Sequence, residues 1–369
     1  MWNFYQPVDI KFGTGRLTEL KKIMESKKLK RALLITDQFL VKTGLAAKII
    51  QLSEGKIVGI ASDIEPNPTV ENINNCLKEA KKLAIESIVA LGGGSSMDCA
   101  KSVAAALAMN VSGEELINGT EIVDAFPLLA IPTTAGTGSE VTAGAVISDK
   151  KKGIKKAIFG PALFPRVALV DPELTYTCPQ QVTASSGIDV IAHALDALTS
   201  IKANSATDSL AIYAAKLAFE NLEKAYINGN DIVAREKMSE ASLVAGLAFS
   251  QTGTTGSHAC SYILTAKYKV PHGEACAFTL DWWFKENAKV RPILNEYAKM
   301  IGFENVEEIS NKINYLKTKM GMKSKITEIV KDDSEWEEII TSSLASGNMT
   351  NNIFKANYKD IVRLLESKR

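Results

Sequence analysis

The first 180 or so residues alternate short apolar runs with longer segments of helical periodicity. Five short runs of mostly aliphatic residues stand at 31–37, 57–62, 87–94, 127–132 and 167–171. Runs this short and this continuously apolar are typical of strands buried on both faces of a parallel sheet. Between the runs, apolar residues recur at helical spacing, for example at Val70, Ile73 and Leu77. The alternation predicts a doubly wound α/β unit.

After about residue 180 the short apolar runs become rare. Long segments rich in Ala, Leu and Ile replace them, at roughly 183–200, 206–226, 231–250, 275–288 and then onward to the C-terminus. This pattern predicts a second domain that is entirely helical. The turn-forming residues of DPELTYTCP (171–179) place the boundary there, which gives domains 1–178 and 179–369.

Composition narrows the classes of protein. With 369 residues and 46% hydrophobic content, the chain can build large cores, which argues against disorder. The 43 Lys and Arg nearly balance the 42 Asp and Glu, which argues against coating a nucleic acid or an anionic membrane. We expect neither a signal peptide nor a membrane span. The five scattered cysteines include no CxxC pair and indicate reduced, buried thiols in a cytoplasmic protein.

The segment GGGSSMDCAK (92–101) follows a predicted strand and opens a predicted helix. Glycines let a ligand approach the backbone closely, and the free N–H groups at a helix start favour a phosphate. Ser95 or Ser96 could cap this helix or donate to a phosphate oxygen. Because the spacing is not GxGxxG, the segment fits a phosphate-binding turn and an ordinary strand–helix turn equally well.

A second loop, IPTTAGTGSE (131–140), follows another predicted strand and is rich in hydroxyl groups. Taken alone, it fits a polar linker as well as a ligand-binding loop. Two such loops are a stronger signal, because open α/β sheets bind ligands at the carboxyl ends of their strands. Asp37 also ends a strand; it could accept hydrogen bonds from an adenosine ribose, which would favour NAD over NADP, or simply begin the next helix.

A third candidate site lies in GIDVIAHALDA (187–197), where Asp189 and His193 stand four positions apart. On a helix they share one face, one turn apart, which suits joint ligation of a metal. His258 and His272 follow downstream and complete the three histidines of the chain. A lone histidine on an apolar helix is more often a core residue. One carboxylate and three imidazoles together would suit Fe²⁺ or Zn²⁺, and Ca²⁺ poorly.

Taken together, these segments resemble the iron-containing (group III) alcohol dehydrogenase family. The matching motifs run in family order over nearly the whole chain: FGTG (12–15), PNPT (66–69), GGGSSMDCAK, IPTTAGTGSEVT (131–142), DPELT (171–175), GIDVIAHALDA, and the region of His258 and PHG (271–273). The resemblance implies a dehydroquinate synthase-like architecture, in which an α/β doubly wound dinucleotide-binding domain precedes an all-helical metal-binding domain. It also implies a homodimer.

The resemblance further implies two cofactors, NAD in preference to NADP, and one divalent metal, with Fe²⁺ preferred and Zn²⁺ as the alternative. The implied metal ligands are Asp189, His193, His258 and His272. The implied cofactor-binding residues are Asp37, Asn67, Gly93, Gly94, Ser95, Asp98, Thr133, Thr134, Thr137 and Phe249. A lysine after the Asp149 hairpin joins them, for which Lys155 is the best match and Lys156 the alternative.

The implied reaction interconverts a short-chain aldehyde and a primary alcohol, with aldehyde reduction favoured. The metal would act as a Lewis acid on the carbonyl group while the nicotinamide C4 delivers hydride. Small aldehydes and alcohols are the expected partners, and neither nucleic acid nor a membrane is expected.

Two positions depart from the family pattern. Many relatives carry a second histidine, a candidate proton carrier, where this chain has Tyr262. A phenol can donate a hydrogen bond, but its ordinary pKa of about 10 makes it a poor base at neutral pH, so Tyr262 is the weakest catalytic candidate. The segment 348–353 also lacks the Arg and Pro that are common in relatives. Both departures concern substrate recognition.

The segments SHACSYILT (257–265) and PHGEACAFTL (271–280) more closely resemble a branch that reduces anionic aldehydes, such as phosphonoacetaldehyde or sulfoacetaldehyde. An anionic substrate requires cationic or N–H-rich surroundings. Lys267 and Lys269 precede His272 and could supply charge, although such lysines are more often solvated at the surface.

Three other functions compete with this hypothesis. A general short-chain alcohol or diol dehydrogenase of the same family would differ only in substrate. A lyase of the dehydroquinate synthase type would also hold NAD and a metal, but the Asp189–x₃–His193 spacing and the IPTTAGTGSE segment favour the dehydrogenase. A metal hydrolase would leave both nucleotide-type loops unexplained.

Overall fold

The computed structural model describes residues 1–152 and 154–369 and divides the chain into two compact units. The α/β unit comprises Gln6–Thr134 and Gly138–Tyr176, and the helical unit comprises Met1–Tyr5, Ala135–Thr137 and Thr177–Arg369. The chain passes from the α/β unit to the helical unit between Tyr176 and Thr177, two residues before the predicted boundary at 178. The two short segments join the helical unit through contacts such as the Tyr5 N–H, which donates to Gln251 Oε1 at 3.0 Å.

Six parallel strands form the sheet of the α/β unit. They are β1 (Asp9–Phe12), β2 (Ala32–Ile35), β3 (Ile57–Ala61), β4 (Ser87–Gly92), β5 (Leu128–Pro132) and β8 (Val167–Val170), in the order β1-β8-β5-β4-β2-β3. The five predicted strands are all present. The sequence analysis missed β1, because Asp9 and Lys11 interrupt its apolar run at the edge of the sheet. A polar residue at alternate positions is typical of a half-buried strand.

Helices cover both faces of this sheet and confirm the doubly wound fold. They are α1 (Leu20–Ser26), α2 (Gln38–Lys42), α3 (Leu45–Leu52), α4 (Val70–Leu83), α5 (Gly94–Met109) and α6 (Gly113–Ile117). Successive residues of β2 point into different cores: Leu33 and Ile35 pack in one, Ala32 and Leu34 in the other. A strand buried on both faces explains the continuous apolar runs.

An antiparallel hairpin of β6 (Gly144–Asp149) and β7 (Ile154–Phe159) follows β5. Lys150, Lys151 and Lys152 lie in the turn between these strands, and Lys155 and Lys156 lie in β7. Residue 153 lies outside the described residues.

The helical unit contains helices throughout, as predicted. They are α7 (Gln180–Thr199), α8 (Ser205–Ile227), α9 (Ile232–Thr252), α10 (Gly256–Ala266), α11 (His272–Val290), α12 (Leu294–Ile301), α13 (Val306–Lys319), α14 (Trp336–Ala345), α15 (Gly347–Asn351) and α16 (Tyr358–Glu366). From Gly187 to Thr199, every residue of α7 is buried, and a helix buried on all sides lies in the middle of its domain. Across the described residues, no helix has the length and apolar content needed to cross a membrane.

A buried cluster of charges fixes the C-terminal end of the chain to α11. The Lys368 Nζ donates to both carboxylate oxygens of Asp281, at 2.6 and 2.7 Å, and the Lys317 Nζ lies 3.4 Å from Oδ1. All three side chains are at most 8% exposed. Burial lowers the pKa of Lys317 to about 8, although Asp281 opposes this effect. One carboxylate therefore compensates for the desolvation of two ammonium groups.

Replacing the shared carboxylate should destabilise the helical unit. We expect Asp281→Asn to lower the free energy of unfolding by about 3–5 kcal/mol, because two buried ammonium groups lose their counter-charge. Glu296→Gln is the control, because Glu296 and Lys299 form an exposed pair worth less than about 1 kcal/mol. Urea unfolding followed by circular dichroism measures both variants. Equal stability of Asp281→Asn and the wild type would contradict the role assigned to the cluster.

Candidate metal and cofactor sites

One face of α7 carries three buried polar side chains. Asp189, His193 and Asp196 stand at helical spacing, and each is at most 5% exposed. The sequence analysis identified Asp189 and His193 and missed Asp196. The segment GIDVIAHALDA does indicate Asp196, because this residue follows Asp189 by seven positions and therefore lies on the same face of the helix.

Four side-chain donor atoms form a compact group between α7, α10 and α11. They belong to Asp189, His258, His272 and Cys276, and all lie within 4.8 Å of one another. Asp189 Oδ1 and His258 Nε2 are 3.7 Å apart. Both atoms are buried, and neither has a hydrogen-bond partner among the described residues. Buried polar atoms without partners are costly. A divalent cation would satisfy both, and a carboxylate, imidazoles and a thiol are suitable ligands for Fe²⁺ or Zn²⁺.

His193, the fourth predicted metal ligand, is not a member of this group, and its ring stacks between two other rings beside it. Its centroid lies 4.2 Å from that of Phe249 and 4.7 Å from that of His258. His193 Nδ1 is 3.3 Å from the carbonyl oxygen of Gly136, to which it can donate. Burial lowers the pKa of His193 to about 4, although Asp189 opposes the shift, so the ring is neutral at pH 7. A neutral ring that donates from Nδ1 presents a lone pair on Nε2, the form that binds metals.

Asp196 orients His258. Its Oδ2 accepts from His258 Nδ1 at 2.8 Å and from the Thr255 N–H at 2.7 Å, and its Oδ1 accepts from Ser257 Oγ at 2.8 Å. Burial opposes the charged form of His258, but Cys276 and Asp196 raise its pKa well above the usual range, so the ring must lose the proton on Nε2 before that nitrogen can bind a metal. A carboxylate on one ring nitrogen fixes the tautomer and directs the other nitrogen toward a metal.

Removing the charge of Asp196 should therefore weaken metal binding. We expect Asp196→Asn to lower the affinity for Zn²⁺ by about 10–100-fold, the usual effect of losing a carboxylate partner of a metal-binding histidine. Competition with a chromophoric chelator measures this affinity. Asp208→Asn is the control, because this buried carboxylate binds Arg291 instead. Unchanged Zn²⁺ affinity in Asp196→Asn would show that Asp196 does not act on the site.

A glycine allows α11 to approach α7 closely enough to form the group. A Cβ atom at Gly273 would lie 1.9 Å from the carbonyl oxygen of Ser185 and 2.9 Å from the Cβ of Asp189. Any side chain there would push the start of α11 away from α7. His272 and Asp189 would then separate, since they lie on these two helices.

We expect Gly273→Ala to lower the Zn²⁺ affinity at least about 100-fold, because His272 would move away from Asp189. Metal content after dialysis, measured by atomic emission, tests this expectation. Gly347→Ala is the matched control, because an added Cβ there would meet nothing within 4 Å. A stoichiometric metal content in Gly273→Ala would contradict the proposed dependence on close helix packing.

In the α/β unit, the two loops predicted to bind a cofactor lie side by side. The Thr133 N–H donates to the carbonyl oxygen of Gly92 at 3.0 Å. A Cβ at Gly93 would lie 3.2 Å from Thr134 Oγ1. Gly92 has a φ of +145°, and a Cβ there would lie 2.6 Å from Ser96 Oγ, so only glycine fits this turn. Gly94 is the first residue of α5, whose N-terminus the loop presents.

Three further cofactor candidates meet beside that turn. Ser95 Oγ accepts from the Asn67 N–H at 3.1 Å, and the Lys155 Nζ donates to Asn67 Oδ1 at 2.7 Å. This contact favours Lys155 over Lys156 as the match. Asp37 caps α2, because its Oδ1 accepts from the Leu40 N–H at 3.0 Å. The capping role considered from the sequence is therefore real, and it leaves Oδ2 for another contact.

Asp98 differs from the other candidates, because its carboxylate is already engaged. It accepts from Ser139 Oγ and from the Val146 N–H, both at 2.9 Å. Lys101, missed by the sequence analysis and fully buried, donates to Ser139 Oγ, Thr142 Oγ1 and the Gly144 carbonyl at 2.9–3.0 Å. Burial lowers the pKa of Lys101 to about 8. This network holds the hydroxyl-rich loop against α5.

The remaining candidates lie in the helical unit. Thr137 belongs to the short segment beside Gly136, and Phe249 stacks on His193. Tyr262 lies one turn beyond His258 on α10, and its Oη accepts from Asn348 Nδ2 at 3.0 Å. The two departures from the family pattern are therefore in contact.

The two lysines considered for an anionic substrate have surface contacts. The Lys267 Nζ pairs with Glu335 at 3.2 Å and with Glu338, and the exposed Lys269 Nζ donates to the Ala266 carbonyl at 2.6 Å. The structure therefore supports the alternative that both lysines are solvated surface residues.

Comparison with known proteins agrees with this arrangement. The sequence profile of the iron-containing alcohol dehydrogenases matches residues 7–172, and that of the C-terminal domain of the same family matches residues 183–369. The chain belongs to the iron-containing alcohol dehydrogenase family. It is therefore an oxidoreductase of a family that uses NAD and iron, and the predicted fold class, enzyme class and cofactors are confirmed.

Individual relatives include enzymes with different substrates. The chain is 38% identical over 289 residues to a 1-propanol dehydrogenase of Salmonella typhimurium. The matched region covers 78% of this chain and 74% of that enzyme. It is 35% identical to an NAD-dependent methanol dehydrogenase of Bacillus methanolicus over 80% of this chain and 81% of that one. The crystal structure of a sulfoacetaldehyde reductase from Bifidobacterium kashiwanohense, in complex with NAD⁺, is 37% identical, covers 100% of this chain and 98% of its own, and has a TM-score of 0.96.

Proposed function

We propose that this protein is an NADH-dependent reductase of a short aldehyde that carries an anionic group, such as sulfoacetaldehyde or phosphonoacetaldehyde. The observation that carries the proposal is the 37% identity and TM-score of 0.96 to the sulfoacetaldehyde reductase over the whole chain. The Tyr262–Asn348 contact supports it, because both residues stand where the sequence departs from many relatives. A cytoplasmic homodimer is part of the same proposal.

In this proposal Asp189, His193, His258 and His272 hold the divalent metal. When bound, the metal supplies Lewis-acid polarisation of the substrate carbonyl group. Asp196 fixes the tautomer of His258, and the Gly136 carbonyl fixes that of His193. These contacts set the direction of two ring nitrogens before substrate binds, which lowers the cost of organising the site.

Asp37, Asn67, Gly93, Gly94, Ser95, Thr133, Thr134 and Lys155 bind NADH in this proposal, together with Thr137 and Phe249. The start of α5 favours the pyrophosphate, and Lys155, held by Asn67, adds positive charge. Asp98 acts indirectly, because it positions the loop through Ser139. A carboxylate at Asp37 would repel a 2′-phosphate and so favours NADH over NADPH.

Tyr262 and Asn348 recognise the substrate rather than carry a proton. Burial raises the pKa of Tyr262, which keeps the phenol protonated at neutral pH. A hydroxyl that accepts from Asn348 can still donate its own proton to a third group. Donors of this kind suit the oxygen atoms of a sulfonate or phosphonate.

Initial rates with NADH test the proposal after reconstitution with Fe²⁺ or Zn²⁺. We expect kcat/KM for sulfoacetaldehyde or phosphonoacetaldehyde to exceed that for butyraldehyde by about 100-fold or more, because a site built to bind a polar group discriminates strongly against analogues that lack it. The same panel with NADPH tests the cofactor preference. Equal efficiency on anionic and neutral aldehydes would disprove the substrate assignment and leave the reaction class intact.

A short-chain alcohol dehydrogenase is the second candidate, because the chain is 38% identical to the 1-propanol dehydrogenase. A preference for propanal over both anionic aldehydes in the same panel would favour this candidate.

A further inference from the structure

Cys276 is the one member of the compact donor group that the sequence analysis did not predict. It lies on α11, one turn after His272, and is fully buried. Its Sγ is 3.8 Å from His272 Nε2, and it belongs to the four donor atoms that lie within 4.8 Å of one another. This thiol therefore faces the atoms that would hold the metal.

Two of the separations in this group are close to those between ligands of a single ion. When two ligands of one Zn²⁺ stand at the tetrahedral angle, with Zn–S of about 2.3 Å and Zn–N and Zn–O of about 2.0–2.1 Å, S and N atoms are about 3.6 Å apart and N and O atoms about 3.3 Å apart. The corresponding separations here are 3.8 Å for Cys276 and His272 and 3.7 Å for His258 and Asp189. The remaining separations in the group are at most 4.8 Å, so its ligand atoms would move inward to complete the coordination.

Two other atoms of the donor group also point to an ion. Asp189 Oδ1 and His258 Nε2 are buried and have no hydrogen-bond partner among the described residues. Their side chains are 3% exposed, so water from the surface does not readily satisfy them. An ion placed to satisfy both atoms lies within the same small group as Cys276 Sγ.

We propose that Cys276 is a thiolate ligand of the divalent metal and that this sulfur shifts the metal preference of the site toward Zn²⁺. The inference rests on the metal site of the proposed function and adds Cys276 as a fifth protein donor beside Asp189, His193, His258 and His272. On metal binding the S–H bond breaks, a metal–sulfur bond forms, and the proton passes to solvent; no electron is transferred. Thiolates favour zinc over harder ions, so a sulfur donor changes selectivity among otherwise similar sites.

Cobalt substitution tests the metal–sulfur bond directly. We expect the Co²⁺-loaded protein to show a sulfur-to-metal charge-transfer band in the near ultraviolet and Cys276→Ser to lose it. We also expect the preference for Zn²⁺ over Fe²⁺ to fall about 10-fold or more in Cys276→Ser. None of these measurements depends on an aldehyde.

Cys260→Ser is the matched control, because this thiol on α10 is also buried but packs among Ile340, Trp283 and other residues of a separate core. It should keep the charge-transfer band, and circular dichroism checks that both variants fold. A wild-type Co²⁺ spectrum without the band, or with a band that survives in Cys276→Ser, would overturn the role of Cys276. Failure to bind any divalent metal would instead overturn the metal site of the proposed function.

Discussion

Burial of carboxylates and imidazoles around α7 is the constraint on which the helical unit depends. Asp189, Asp196, His193 and His258 are each at most 5% exposed, within a domain whose other interior positions are mainly Ala, Leu and Ile. Groups of this kind cost several kcal/mol to bury unless they are paired or bound to a cation. The buried carboxylate of Asp196 is stabilised by three hydrogen bonds, from Thr255, Ser257 and His258. Asp189 Oδ1 has no such partner in the described chain, which makes it the natural point of attachment for a metal.

Packing around this site serves positioning as well as stability. The lack of a side chain at Gly273 brings the first turn of α11 against α7, and the stacked rings of Phe249, His193 and His258 fill the space beside it. The α/β unit uses a similar principle at a different place. There the buried Lys101 and the partly buried Asp98 bind the hydroxyl-rich loop after β5 to α5 and fix its shape. In both units, close packing and buried hydrogen bonds determine where the candidate site residues stand.

The periodicity of the sequence determined the fold class and most elements, because strands buried on both faces and helices buried on one or more faces leave distinct patterns of apolar residues. It failed at β1, where an edge position needs fewer apolar residues. Among site residues, Asp196 could have been found from its spacing with Asp189. Cys276 could not have been found by elimination, since a buried thiol in a helix core has the same sequence pattern whether or not it faces a metal.

The sequence by itself determined the two-part organisation, the family, and the identity of the three histidines and Asp189 as candidate ligands, because these follow from local patterns and motif order. Only the tertiary structure decided which side chains meet. The 3.0 Å contact of Tyr262 with Asn348 joins positions 86 residues apart, and His258 meets Asp196 across 62 residues. Such pairings depend on how helices pack, and packing geometry is not encoded in the spacing of any single segment. For the same reason, the position of Cys276 beside the candidate metal ligands follows only from the packing of α7, α10 and α11.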